Sequence, residues 1–198
     1  MKKLSGLVIC GGQSSRMGED KSLINYNGKP QREYLCELLQ PFCEDVFISC
    51  NKEQATSILP PYKTIVDDDK YAGVGPMAGL LSAFEKYPDA AFLVVGCDYP
   101  FLRKKHLHDL VEARIGLDDA VFFSNPETNM EEPLICIYEN NSYHKLLKNF
   151  REKKYSLRHF LREANTCMIF PGSVEFLQSV DTIESYHKAK ELLVAKLN

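Results

Sequence analysis

The chain has 198 residues, 44% hydrophobic and 26% charged, with a net charge of −3 at pH 7. Acidic and basic residues are interspersed, which excludes general nucleic-acid binding through a basic surface, and no run approaches the roughly 18 apolar residues of a membrane span. A single domain over 1–198 is expected, long enough to bury a core without staples.

The seven cysteines (Cys10, Cys36, Cys43, Cys50, Cys97, Cys136 and Cys167) are odd in number and form no CxxC pair. They read as free thiols acting as small hydrophobes in a reducing cytoplasm. Cys36, Cys43 and Cys50 recur every seven residues but fall on a predicted helix, a turn and a strand, so the spacing is not read as a metal site.

Short apolar runs alternate with amphipathic stretches along the chain. Residues 4–10 (LSGLVIC) read as a buried strand bounded by glycines. A helix follows from Pro30, a residue suited to a first turn, with Tyr34, Leu35, Leu38 and Leu39 on one side. Strands are expected at 45–50 and 62–66, a helix entered by Pro76, and the strongest strand at 90–96 (AAFLVVG). A helix at 104–115 and strands at 119–124 and 133–139 come next. The last third reads as helical, over 142–151, 157–164 and 182–197, with Asp181 and Glu184 in a capping-box pattern. The charged runs at 103–105 and 151–154 read as solvated helix faces. This alternation predicts an α/β fold, with a mostly parallel sheet and helices on both faces. Such sheets bind ligands where their strands end, near a switch in strand order.

The strand exits carry the chemistry. The first leads into GGQSSRMGEDK, the second into Asn51, the third into Asp67-Asp68-Asp69 and the fourth into Asp98. Gly11, Gly12 and Gly18 allow backbone N–H groups to close on an anion. Ser14 and Ser15 add hydroxyl donors, and Arg16 and Lys21 add a bidentate and a point charge. The loop is not a P-loop, because five residues lie between Gly12 and Gly18 and Lys21 stands beyond Glu19-Asp20. It also lacks the G-x-G-x-x-G dinucleotide fingerprint. Asp98, after the most apolar strand, is the expected ligand for a magnesium ion (Mg2+) shared with phosphate oxygens. Of the three consecutive aspartates only Asp67 is expected to meet a ligand. Together the exits describe a site for a polyanion with a divalent metal.

The stretch ICGGQSSRMGEDKSLI resembles the signature loop of the molybdenum cofactor guanylyltransferases, which reads roughly LAGG-x-S-x-RMG-x-DK-x-L. The resemblance continues through NGKP (27–30), CNKEQ around Asn51, VDD at Asp67, GVGPMAGLLSAF (73–84), GCDYPFL (96–102) and EEPLICIYE, so it covers about the first 140 residues. Sugar- and alcohol-phosphate nucleotidyltransferases usually have Pro-Lys where this chain has Asp20-Lys21. The related cytidylyltransferase usually has Ala-Ala-Gly where Cys10-Gly11-Gly12 stands.

The resemblance implies a Rossmann-like three-layer α/β/α fold with GTP over the strand exits. Ile9, Cys10, Gly11, Gly12 and Ser14 would meet the nucleotide, Arg16 and Lys21 its phosphates, and Asn51 and Asp67 its base or ribose. Asp98 would hold magnesium. The implied reaction moves GMP from GTP to the terminal phosphate of molybdopterin, or its molybdenum-loaded form, and releases pyrophosphate. Contacts with other cofactor-biosynthesis or acceptor proteins would accompany it. The attacking group is already an anionic phosphate, so no general base is needed, and the five histidines all fall in predicted helices. Readings held against this one are a nucleotidyltransferase of the same fold with another NTP or acceptor, and a non-catalytic nucleotide-binding regulator.

Two departures matter. Cys10 replaces the alanine of LAGG. The family segment N-x-N-T-P-E is here Ser179-Val180-Asp181-Thr182-Ile183-Glu184, so contacts of those asparagines to the acceptor do not carry over.

Overall fold

The computed structural model describes residues 3–10 and 20–195. Its centre is a seven-stranded sheet of β1 (Leu4–Ile9), β2 (Val46–Cys50), β3 (Lys63–Val66), β4 (Ala91–Gly96), β5 (Ala120–Asn125), β6 (Met130–Tyr138) and β7 (Thr166–Ile169). The strand order is β3-β2-β1-β4-β6-β5-β7. Only β6 runs against its neighbours, β4 and β5; the other pairings are parallel.

The helices are α1 (Gln31–Leu39), α2 (Lys52–Ala55), α3 (Pro76–Lys86), α4 (Lys104–Glu112), α5 (Ser142–Arg151), α6 (Leu157–Glu163) and α7 (Ile183–Ala195). β4 shows why the sheet needs cover on both sides. Leu93 and Val95 point into a core shared with Leu35 and Leu39 of α1, Leu107 and Leu110 of α4 and Leu193 of α7. Phe92 and Val94, one residue out of phase, join Leu80, Leu81 and Phe84 of α3, Leu146 of α5 and Phe160 of α6. A period-two strand apolar at every position can be buried only between two helical layers. The expected three-layer α/β/α architecture is therefore present.

The expected strands and helices are found with ends shifted by a few residues, the short α2 is an addition to them, and three further local differences appear. Pro30 caps α1 instead of opening its first turn. The chain at 166–169 is a strand, not part of a helical third: β7 adds to the sheet edge beside β5. Its residues are only half-buried or exposed, so four edge residues left little apolar signal. The capping box of α7 is made by Thr182 and Ser185, whose hydroxyls accept from each other's backbone N–H at 3.2 and 3.0 Å. Asp181 and Glu184 do not form it, and Asp181 is left to another partner.

One buried ion pair ties the helical layer to the sheet. Arg114, just past α4, donates to both carboxylate oxygens of Glu139 at 2.5 and 3.0 Å, with the two side chains 6% and 3% exposed. Removing one charge strands the other in the interior, which costs about 3–5 kcal/mol. Glu139→Gln is expected to lower the urea unfolding midpoint by that much stability. Arg114→Met combined with it should recover most of the loss, and a double variant as unstable as the single one would contradict the assignment.

Candidate active site

β1 is the strand at which the order reverses, since β2 and β3 lie to one side of it and β4 to the other. The switch point is thus between the ends of β1 and β4, where Cys10 and Cys97-Asp98 leave the sheet. Ile9 is buried at the end of β1 and pairs with Gly96. Cys10 follows, its N–H donating to the Ser49 carbonyl at 3.0 Å. Gly11, Gly12, Ser14 and Arg16 lie outside the described residues.

Lys21 opens a 3-10 turn (Lys21–Leu23) capped by Asp20, whose carboxylate accepts from the Ser22 N–H at 2.9 Å. The other Asp20 oxygen accepts from Gln54 Nε2 at 3.0 Å. The turn carrying Lys21 is therefore anchored to α2 at the exit of β2. Lys21 Nζ lies 2.9 Å from Asp181 Oδ1, its side chain 22% exposed.

Asp98 sits across the switch point. The residue as a whole is half-buried, but its Oδ1 is covered from solvent and has no hydrogen-bond partner among the described residues. Burial pushes its carboxyl up to about 7, helped by the charges of Asp181 and Glu132 and opposed by that of Lys21. Gly96 makes room for it, since a Cβ there would fall 2.5 Å from Asp98 Oδ1. The backbone of the C-terminal segment closes the other side, with the Val180 N–H donating to the Asp98 carbonyl at 2.8 Å. Glu132 is raised by burial and accepts from the Tyr99 hydroxyl at 2.5 Å.

Asn51 and Asp67 lie on one side of this centre, on an open cleft of about 660 Å³ floored by Gly75 and Ala78. Asn51 caps α2, accepting from the Gln54 N–H at 2.8 Å while Gln54 Oε1 accepts from the Asn51 N–H. Asp67 is raised by burial and accepts from the Ser49 hydroxyl at 2.8 Å. Gly79 of α3 lets the helix approach this pair: a Cβ there would fall 2.1 Å from Ser49 Oγ. Asp68 and Asp69 turn to Lys70 and Lys52.

The structure thus pairs Lys21 with Asp181, whose charge acts on Asp98, and places Asn51 and Asp67 along a cleft. Asp181, Glu132 and Gln54 were not singled out as site residues by the sequence. Gln54 had a readable signal, the Asn-x-x-Gln capping pattern. Asp181 was visible only as a helix cap and as part of an altered motif, and Glu132 only as one acidic residue before an apolar strand. All five histidines lie on helices. His106 is stacked on Phe176 at 3.8 Å, and burial lowers it to about 4.

Comparison with known proteins adds the family. Residues 6–167 match the family described as MobA-like NTP transferase domain. The chain belongs to that family. It is accordingly a nucleotidyltransferase, and its switch point is where a fold of this kind places ligands. Among similar sequences, a Synechocystis protein named molybdenum cofactor biosynthesis bifunctional protein is 32% identical over 92% of this chain and 52% of its own length. The chain spans about half of that relative. A Bacillus mycoides protein named probable molybdenum cofactor guanylyltransferase is 26% identical over 96% of this chain and 98% of its own. The crystal structure of molybdopterin-guanine dinucleotide biosynthesis protein A from Archaeoglobus fulgidus superposes with a TM-score of 0.79 at 21% identity, covering 96% of this chain and 99% of that one. That likeness shows the fold: the mostly parallel sheet with its helical layers.

Proposed function

We propose that this chain transfers GMP from GTP to the terminal phosphate of molybdopterin, forming the guanine dinucleotide and releasing pyrophosphate. The observation that carries the reading is Asp98 at the switch point, whose covered Oδ1 no described residue bonds and on whose carboxyl the charges of Lys21 and its ion-pair partner Asp181 both act. The signature loop that ends in Asp20-Lys21, and relatives named for guanylyl transfer, support the choice of nucleotide and acceptor.

The residues present fit magnesium. Among the described residues no three His, Cys, Asp or Glu side chains converge into a ready-made cage. Magnesium is usually held by one or two carboxylates together with substrate phosphates, so a single covered carboxylate oxygen is the donor it requires. Asp98 would hold the ion; once bound, magnesium supplies Lewis-acid polarisation of phosphate oxygens.

The chain's own residues position and neutralise. An oxygen of the acceptor phosphate attacks the α-phosphorus in line, the new O–P bond forms, and the bond to the bridging oxygen of pyrophosphate breaks. Lys21 and Arg16, with the amides of Gly11 and Gly12 and the hydroxyl of Ser14, take up the charge of the departing pyrophosphate. Ile9 and Cys10 end the strand against which the nucleotide lies, and Asn51 and Asp67 meet base or ribose in the adjoining cleft. No side chain has to remove a proton from the nucleophile. Most of the rate would come from holding the two phosphates in line.

Thermal shift with GTP, CTP, ATP and UTP, each with magnesium, tests the nucleotide. GTP is expected to raise the melting temperature most. An equal response to all four would contradict the guanine assignment, and a larger response to CTP would move the chain to cytidylyl transfer.

A further inference from the structure

The two strands that frame the switch point are each followed by a cysteine. Ile9 and Gly96 are register partners in the parallel β1–β4 pair, so Cys10 and Cys97 leave the sheet side by side. The Cys97 N–H donates to the Ile9 carbonyl at 3.2 Å, which holds the two chain ends together. Their sulfurs are 3.0 Å apart, and both thiols are free. Neighbouring strands lie about 4.8 Å apart, within the Cα separation of roughly 4.4–6.8 Å that a disulfide spans. Closing the bond needs an approach of only about 1 Å, since an S–S bond is about 2.05 Å long. Cys10 is half-buried and Cys97 is 6% exposed, so a small oxidant meets Cys10 first. Each cysteine also adjoins a different half of the site, Cys10 preceding the Gly11-Gly12 pair and Cys97 preceding Asp98. The resembled LAGG signature has alanine where Cys10 stands, so the loop's phosphate chemistry does not itself call for a thiol there.

We propose that Cys10 and Cys97 are a redox-sensitive dithiol whose oxidation to a disulfide links the exits of β1 and β4 beside Asp98 and weakens nucleotide binding. That weakening rests on the nucleotide reading given above. With hydrogen peroxide as oxidant, the Cys10 sulfur attacks one peroxide oxygen, the O–O bond breaks, and hydroxide leaves with the thiol proton as water. The Cys97 sulfur then attacks the Cys10 sulfenic acid, the S–S bond forms, the S–O bond breaks, and a second water departs with the Cys97 proton. Two thiols are oxidised and one peroxide is reduced. The bond ties together the exits of β1 and β4 and fixes Cys97 directly before Asp98, so the Asp98 carboxylate is held away from the position it takes beside a bound nucleotide.

Peptide mapping reads the bond directly. The reduced chain is treated with about one equivalent of hydrogen peroxide, alkylated and cut with trypsin. The tryptic peptides 4–16 and 87–103 each contain one cysteine, and they are expected as one linked species that dithiothreitol separates. Cys97→Ala should give no such species. Oxidised wild-type protein should bind GTP with magnesium at least tenfold more weakly than reduced protein, with recovery after dithiothreitol. Absence of the linked peptide while other thiols become oxidised would overturn the proposal. So would linked protein that binds GTP as tightly as the reduced form. Reduced protein that ignores GTP would instead overturn the nucleotide reading, while the linked peptide would still decide whether the dithiol exists.

Discussion

Asp98→Asn is expected to abolish nucleotidyl transfer while making the metal-free protein more stable at pH 8. The two effects share one cause. Asp98 Oδ1 is covered and has no hydrogen-bond partner among the described residues, and the carboxyl is raised to about 7 by burial and by the neighbouring charges of Asp181 and Glu132. Its unfolded value is near 3.9. Below pH 4 the group is protonated in both states and contributes nothing. As pH rises, the unfolded chain ionises first, so stability falls between about pH 4 and pH 7 and then stays level. A shift of this size corresponds to no more than about 4 kcal/mol. The amide introduced by Asp98→Asn carries no charge at any pH. The gain in melting temperature of Asp98→Asn over wild type should therefore be largest at pH 8 and close as the pH falls toward 4. Magnesium with GTP should stabilise wild type clearly more than the variant. The loss of turnover should exceed about a thousandfold, because charge stabilisation at the transferring phosphate is usually the largest single contribution to such a rate. Full activity in Asp98→Asn would remove this residue from the site, and an unchanged melting profile would contradict its burial as a strained acid.

Lys21→Met is expected to lower kcat by about a hundredfold to a thousandfold, the usual cost of losing one preorganised donor to a developing charge. The fold holds Lys21 with some care. Its turn is capped by Asp20, Asp20 is gripped by Gln54 of α2, and the ammonium rests 2.9 Å from Asp181. Lys21 also opposes the upward shift of Asp98, so its removal should drive that carboxyl higher still in metal-free protein. The stability gap between pH 4 and pH 8 should accordingly widen in Lys21→Met. Lys21→Arg should restore the charge but only part of the rate, because a planar fork does not replace a compact ammonium. Wild-type kcat in Lys21→Met would show that the Asp181 ion pair is its whole role.

Much of this architecture was legible in the residues. Runs such as AFLVVG are apolar at every position because helices cover both faces of β4, and this density reads plainly in a sequence. The strand exits put Lys21, Asn51, Asp67 and Asp98 after the carboxyl ends of four neighbouring parallel strands. What escaped was short or brought in from a distance. β7 and α2 have four residues each, too few for a period to show. Asp181 reads as the cap of the last helix, yet Thr182 and Ser185 perform that task and leave Asp181 to reach Lys21. Its place beside Asp98 depends on the Val180 N–H bonding to the Asp98 carbonyl, a tertiary contact that no local pattern encodes. The sulfur pair of Cys10 and Cys97 is of the same kind: each looks like a small core residue until the register of β1 and β4 aligns them.

The most direct test of guanylyl transfer is to incubate the protein with magnesium, GTP and molybdopterin and to follow products by mass. The expected products are the molybdopterin–guanine dinucleotide and an equal amount of pyrophosphate, both dependent on molybdopterin. Pyrophosphate release without the acceptor, or a dinucleotide formed from CTP and not from GTP, would refute the proposed reaction.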